Sequence, residues 1–342
     1  MLRPLQRFAG RAYASHAHVA AHAHAPPSAS ADGCHERLLA LQAPLTLPPL
    51  PTYADAPLEP ATVHATAVVH PDARLGAGVE IGPFCVIGPD VELHEHVVVK
   101  AHVVIDGRTR IGAHTVIHSF ASIGGAPQDK KHVRGLSSLE IGHSCIIREH
   151  VTINTGTNDG TTRVGDGCWV LASSHIGHDS YVGDGVVLSN AVCLAGHVRI
   201  DDFAIVGGQV GIKQFVHIGS LAMIGGQSAV DGDVLPFGLA FGNRAKLTGI
   251  NLVGLRRRNV PRLEIKRLLQ TFRYMYGLSC HNGFAPPLPL PPHDCIVARA
   301  TAARAHFAST TETNVDMQRL EAMMAFVSSS PDRVRSALCM PA

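Results

Sequence analysis

Residues 75–93 read Leu75-Gly76-Ala77-Gly78-Val79-Glu80-Ile81-Gly82-Pro83-Phe84-Cys85-Val86-Ile87-Gly88-Pro89-Asp90-Val91-Glu92-Leu93. An aliphatic residue returns at every sixth place, at Leu75, Ile81, Ile87 and Leu93, and a small or β-branched residue stands two places before each return, at Val79, Cys85 and Val91. Outward from this stretch the series runs from Val63 through Val69, Val99, Ile105, Ile111 and Ile117 to Ile123 without a miss, and it resumes in phase at Ile141, Ile147 and Ile153. After a shift of phase, a second series runs from Val164 through Val170, Ile176, Val182, Leu188, Leu194, Ile200, Val206, Ile212, Ile218 and Ile224 to Val230. A fixed short period of this kind marks a repeat architecture. Two inward places per hexad, one large and one small, fill a narrow prism. Three hexads, 18 residues, make one triangular coil, bonded to its neighbours at a strand spacing of about 4.8 Å. Each coil touches only the next, so stability is roughly a sum of coil terms. Glycine follows many of the aliphatic residues, as at Gly82, Gly112, Gly165 and Gly177, and is expected there for a turn with positive φ.

The composition agrees. Of 342 residues only 5% are aromatic and 16% charged, while 46% are hydrophobic and 33 are glycine, which suits a thin regular core and not a disordered chain. A net charge of +2 gives no electrostatic case for nucleic acid. No apolar run reaches the 18 or so residues that a membrane span needs. The cysteines, Cys34, Cys85, Cys145, Cys168, Cys193, Cys280, Cys295 and Cys339, form no CxxC pair. Three of them hold the small place of a hexad and read as core packing.

Residues 1–30 contain no Asp or Glu and carry Arg3, Arg7 and Arg11 on one helical face, with Leu2, Leu5 and Phe8 available for an apolar one. This is the composition of an organelle targeting peptide, mitochondrial or alternatively plastid, against a merely disordered Ala-rich tail. Arg11-Ala12-Tyr13 resembles a processing site. The run His16, His18, His22 and His24 reads as low-complexity linker, and residues 31–60 as a Pro-rich linker with a short helix near 35–42.

Two breaks interrupt the prism expected over 63–235. The first, a polar excursion over 125–138, keeps the flanking phase, as if a loop were extruded from an intact prism. The second, Thr155 to Thr162, shifts it. Both read as solvated loops, and breaks in a repeat are also where function concentrates. Above them lies Ser174-His175-Ile176-Gly177-His178-Asp179. Adding one coil to His178 and Asp179 gives Gly196 and His197, and a further coil gives Gln214. Two histidines beside a carboxylate on one strip suit general-base work. They also fit a set of exposed turn residues in a chain with 22 histidines.

Residues 63–276 resemble the UDP-N-acetylglucosamine O-acyltransferases, a hexapeptide-repeat family. The segments that carry the likeness are Ile81-Gly-Pro-Phe-Cys85, Phe120-Ala-Ser-Ile-Gly124, Gln128-Asp129, Ile147-Arg-Glu-His-Val-Thr-Ile153, His175-Ile-Gly-His178-Asp179, Leu194-Ala-Gly-His197-Val198, Asp201-Asp-Phe-Ala-Ile205, Gly242-Asn243 and Asn251-Leu-Val-Gly-Leu-Arg-Arg-Arg258. The resemblance implies a left-handed parallel β-helix, although generic crossover rules favour the right hand. It implies an α-helical C-terminal domain and a homotrimer with active sites between prisms. The implied reaction is transfer of a 3-hydroxyacyl group from acyl carrier protein to the 3-hydroxyl of UDP-N-acetylglucosamine, the first step of lipid A synthesis. Neither cofactor, metal nor acyl-enzyme is implied.

By the same resemblance His178 is the general base, Asp179 its acidic partner and the Gly196 N–H the oxyanion donor. His175, His197 and Gln214 position substrate. Gln128, Asp129 and Lys131 meet the sugar nucleotide, and Asn251, Arg257 and Arg258 lie near the phosphates or the carrier arm. Gly226 matches the place that limits acyl length, where glycine implies a long chain. Lys213 stands where the family commonly has histidine, and Val253 where an acidic residue is common. Two other readings compete: a γ-class carbonic anhydrase-like protein with zinc on His175, His178 and His197 across an interface between copies, and a non-catalytic hexapeptide-repeat scaffold. An N-acyltransferase of the same pathway would need a folded N-terminal domain in place of residues 1–60.

Beyond Pro236 the rhythm stops, and 236–342 is expected to be a helical domain. Residues 244–276 read as two helices broken at Pro261, Val315–Val327 and Asp332–Leu338 as further helices, and 283–292 as a Pro-rich insertion. The basic residues Arg256, Arg257, Arg258, Arg262, Lys266 and Arg267 form a face suited to an acidic carrier protein.

Overall fold

In Glu80–Ile81 and Val86–Ile87 the first side chain is exposed and the second buried. That is the alternation of a strand, held for two residues before the chain turns. The computed structural model describes residues 59–133, 135–278, 296–309 and 318–328. Within them the short strands stack into three sheets, of 11, 9 and 8 strands, which form the three faces of a left-handed parallel β-helix. The first sheet contains Thr62–Val63, the second Val68–Val69 and the third Arg74–Leu75. The targeting segment, nearly all of the linker, the 283–292 insertion and the helix expected at 332–338 lie outside the described residues.

Register accounts for both breaks. Val68 pairs with Val86, and Val86 with Val104, 18 residues apart each time. Val116 pairs with Ile146, a step of 30, so the first excursion inserts 12 residues, two whole hexads, and keeps the phase. Thr152 pairs with His175, a step of 23, so the second inserts five and shifts it. Both insertions leave the prism between a second-sheet strand and a third-sheet strand. His178 lies on that same edge, between His175–Ile176 and Tyr181–Val182.

The interior follows the hexad pattern. Ile117, Ile147, Ile176 and Leu194 are fully buried, as are Cys85, Cys145 and Cys168 at the small place. Polar residues at that place are bonded: Thr115 Oγ1 donates to the Gly142 carbonyl at 2.9 Å, and Ser174 Oγ to that of Ser189 at 2.9 Å. Satisfied in this way, a buried hydroxyl carries little desolvation penalty.

The expectation about glycine needs correction. Gly82, Gly112, Gly165 and Gly177 do not adopt positive φ, whereas Gly124 does; most corners with φ near +60° hold other residues, such as Phe84, His102 and His114. The reason for those glycines is distance between coils. A Cβ at Gly112 would stand 2.6 Å from the Gly142 carbonyl carbon, and one at Gly177 2.8 Å from that of Ala195.

The C-terminal region also differs from expectation. Gly238–Phe241 pairs in parallel with Met223–Ile224, and Lys246–Ile250 pairs antiparallel with Gly238–Phe241, so the first sheet continues past residue 236. Helix begins only at α1 (Leu252–Arg257), followed by α2 (Arg262–Tyr276). Residues 246–250 alternate exposed and buried at Lys246, Leu247 and Thr248, a period of two that outweighs the helical reading. Helices α3 (Ile296–Ser309) and α4 (Gln318–Ser328) pack on α2. Arg319 pairs with the buried Glu264 at 2.8 Å, and Phe326 lies 4.6 Å from the His217 ring. No helix among the described residues is long and apolar enough to cross a membrane.

Candidate active site

Stacked turns on the edge between the second and third sheets bring His178, Asp179, Gly196 and His197 together. His178 is 5% exposed, and its Nδ1 lies 2.8 Å from Asp179 Oδ2. A carboxylate only accepts, so Nδ1 carries the proton and Nε2 is the basic nitrogen. His197 crosses the His178 ring edge-on at 5.1 Å and stacks on Phe215 at 4.7 Å, with Nε2 3.7 Å from Asp179 Oδ2. The His178 ring occupies the place a side chain at Gly196 would need. The amides flanking Gly196 are engaged, Ala195 with the Ile212 carbonyl and His197 with that of His178. The Gly196 N–H has no acceptor among the described residues.

Burial pushes the Asp179 carboxyl up. The Thr157 hydroxyl, His178, the Thr157 amide and the nearby His197 together outweigh it and hold the group below the usual carboxylate range. Asp179 is therefore an anion at neutral pH, and its hydrogen bond fixes the orientation of the His178 ring. His175 has Nδ1 2.7 Å from Thr152 Oγ1. Burial, and secondarily its neighbour His178, lower its pKa, so it is neutral near pH 7.

These groups border a cleft of about 460 Å³ whose lining includes Gln128, Asn154, His175, His178, Cys193, Gly196 and Gln214. Above His175 the outward column of the second sheet is Cys193, Gly211 and Ala229. Small side chains there keep the floor open.

The remaining expected residues lie elsewhere. Asp129 Oδ1 accepts the Lys131 N–H at 2.9 Å, closing a turn in the first excursion beside Gln128, and neither residue lines the cleft. Asn251 is buried and caps α1: its Oδ1 accepts from the Gly254 N–H at 2.9 Å, and its Nδ2 donates to the Leu221 carbonyl at 2.9 Å. Arg258 stacks its guanidinium 3.7 Å over Phe203, and burial lowers its pKa. Leu221 and Phe203 belong to turns between the third and first sheets. Within one chain, Asn251, Arg258 and the adjoining Arg257 thus occupy a different edge from His178. Gly226 sits on the third edge, where a Cβ would come 3.2 Å from the Gly208 carbonyl oxygen. Among the described residues, the ligand atoms of His178, Asp179 and His197 lie within 4.8 Å of one another.

Two residues of the site were not anticipated. Asn154 is 7% exposed; its Nδ2 donates to the Ala126 carbonyl at 3.1 Å and its buried Oδ1 has no partner among the described residues. Thr157 holds Asp179 from below. Stacking by 18 cannot reach either from His178, because the coil between them is 23 residues long. The step of 23 was available from the separation of the two aliphatic series, and it places residues 154–157 beneath 177–180.

Comparison with known proteins gives a consistent answer. Residues 72–107 match the bacterial transferase hexapeptide (six repeats) profile, and residues 233–284 match the second domain of UDP-N-acetylglucosamine O-acyltransferase. The acyl-[acyl-carrier-protein]--UDP-N-acetylglucosamine O-acyltransferase of Burkholderia vietnamiensis is 50% identical over 221 residues, 64% of this chain and 84% of that protein. The same-named protein of Verminephrobacter eiseniae is 41% identical over 254 residues, 73% of this chain and 97% of its own length. Among solved structures, LpxA from Acinetobacter baumannii superposes with a TM-score of 0.66 at 34% identity, covering 77% of this chain and 96% of that one. The Arabidopsis UDP-N-acetylglucosamine acyltransferase superposes with a TM-score of 0.66 at 29% identity, covering 81% and 99%. Prism, closing strand pair and the clustered His178, Asp179 and Gly196 therefore stand in a chain that belongs to the UDP-N-acetylglucosamine O-acyltransferase family.

Proposed function

We propose that the protein transfers a 3-hydroxyacyl group from acyl carrier protein to the 3-hydroxyl of UDP-N-acetylglucosamine, the first step of lipid A biosynthesis. The observation that carries this reading is the buried His178, oriented by an ionised Asp179, beside the unbonded Gly196 amide at an open cleft. Nε2 of His178 takes the proton of the sugar 3-hydroxyl as its oxygen attacks the thioester carbon. The Gly196 N–H meets the oxyanion of the tetrahedral intermediate. Collapse breaks the carbon–sulfur bond, and His178 returns the proton to the leaving thiolate. The attack is direct, so Cys193 needs no acyl-enzyme. Gln128, His175, His197 and Gln214 position the sugar nucleotide, with Asp129 and Lys131 at the rim.

Asn251, Arg257 and Arg258 sit one prism edge away from His178, so they reach its substrate from a neighbouring copy. This supports a homotrimer with its sites between prisms. Gly226 leaves room for a long acyl chain. Residues 1–30, free of Asp and Glu and with Arg3, Arg7 and Arg11 spaced by four, direct the protein to the mitochondrion, or alternatively to the plastid. The carbonic anhydrase-like and scaffold readings are not favoured. Incubation with UDP-N-acetylglucosamine and a series of 3-hydroxyacyl carrier proteins tests the proposal: mass spectrometry is expected to find the 3-O-acylated sugar nucleotide, and no product from any chain length would overturn it.

A further inference from the structure

We infer that Thr157 is a positioning residue for the catalytic pair, and that the five-residue insertion carrying it serves as a cradle for Asp179. The inference rests on the reading of His178 as base given above. The Thr157 N–H reaches Asp179 Oδ1 at 3.0 Å and Oδ2 at 3.1 Å, and its hydroxyl donates to Oδ2 at 2.7 Å. From the strand that follows the insertion, Thr161–Val164, Thr162 Oγ1 accepts the Asp179 N–H at 2.8 Å. Gly160 supplies space, since any Cβ there would run into Asp179 Oδ1. The insertion thus grips the side chain of Asp179, and the strand it leads into holds its backbone.

Other corner carboxylates lack this grip. Asp184 and Asp202 each accept one N–H from the coil below, from Asp166 and Asp184 at 2.8 and 2.9 Å. At Asp179 the additional donors fix the rotation of the carboxylate, so that Oδ2, shared by the Thr157 hydroxyl and His178 Nδ1, faces the ring. A free carboxylate would turn, and His178 would lose the partner that selects its tautomer. Thr157 is not among the residues that line the cleft, and its side-chain hydrogen bond goes to Asp179, so it acts on the base through that carboxylate.

The test is a cycle on Thr157 and Asp179, read by steady-state kinetics. Thr157→Val, which keeps shape and loses the hydroxyl, is expected to lower kcat about tenfold to hundredfold, the scale of a hydrogen bond to a charged group, with KM for UDP-N-acetylglucosamine changed less than about twofold. Thr157→Ser is expected to restore kcat to within about threefold of the parent, and it also serves if the valine variant folds poorly. In an Asp179→Asn background, Thr157→Val is expected to have no further effect. Full additivity there, or wild-type kcat in Thr157→Val while Asp179→Asn is impaired, would overturn the positioning role alone. Wild-type kcat in Asp179→Asn would instead overturn the reading of the pair, and this inference with it.

Discussion

The ring of His178 lies where a side chain on Gly196 would have to be, so the base and the oxyanion donor share one space. Gly196→Ala is therefore expected to displace the imidazole and lower kcat by about a hundredfold or more, since general-base catalysis is worth on the order of 10² to 10⁴. Its melting temperature is expected to fall only moderately, as overpacking by one methyl costs about 1–3 kcal/mol. Kinetics and calorimetry on the same preparation check both halves. Retained kcat would mean that the two groups do not work together.

Coil spacing makes a second contrast. Gly112→Ala forces a methyl against the backbone of the next coil at Gly142 and His143, whereas a methyl at Gly211 meets nothing within 4 Å. Denaturant unfolding is expected to show a loss of about 2 kcal/mol or more for the first and within about 0.5 kcal/mol of the parent for the second. Because Gly211 floors the cleft, Gly211→Ala is expected to act on KM instead.

The fold was legible because a period of six places the same demand at every position, so Ile117 and Ile176 announce their burial by spacing alone. Gly196 and His197 were legible for the same reason, as each stands one regular coil above His178 and Asp179. Asn154 and Thr157 were not, because the insertion between them and His178 breaks the arithmetic. The glycines after the aliphatic residues are legible in place but not in purpose: their lack of Cβ relieves contact between coils, which no single turn reveals. Lys246–Ile250 reads as helix in the sequence because its five residues are too few to display a period against the helical run that follows.

A buried hydroxyl inside the prism gives a third prediction. Thr115 Oγ1 donates to the Gly142 carbonyl and accepts the Cys145 N–H at 3.1 Å. Thr115→Val keeps volume and strands both groups, so unfolding free energy is expected to fall by about 1–3 kcal/mol. An unchanged midpoint in urea would show that the coils relax to re-pair them.

The fourth concerns acid. Burial raises the pKa of Asp201, but the hydrogen bond and charge of His217, with Arg199, outweigh it and leave the group below its ordinary value. His217 Nε2 stands 2.7 Å from Asp201 Oδ2, and its ring meets Phe326 of α4. A carboxylate with a depressed folded pKa stabilises above its unfolded pKa of about 3.9, and that contribution is lost as pH falls through the lower folded value. Asp201→Asn is expected to destabilise at about pH 6, with the gap from the parent closing toward about pH 3. An equal gap at both would contradict the ion-pair account.

The most direct test of the central claim is kcat for acyl transfer from a 3-hydroxyacyl carrier protein to UDP-N-acetylglucosamine by the His178→Ala variant, measured beside its melting temperature. Loss of the base is expected to lower kcat by about 10² to 10⁴ while the prism stays folded. A folded variant that turns over at the parent rate would show that His178 is not the base.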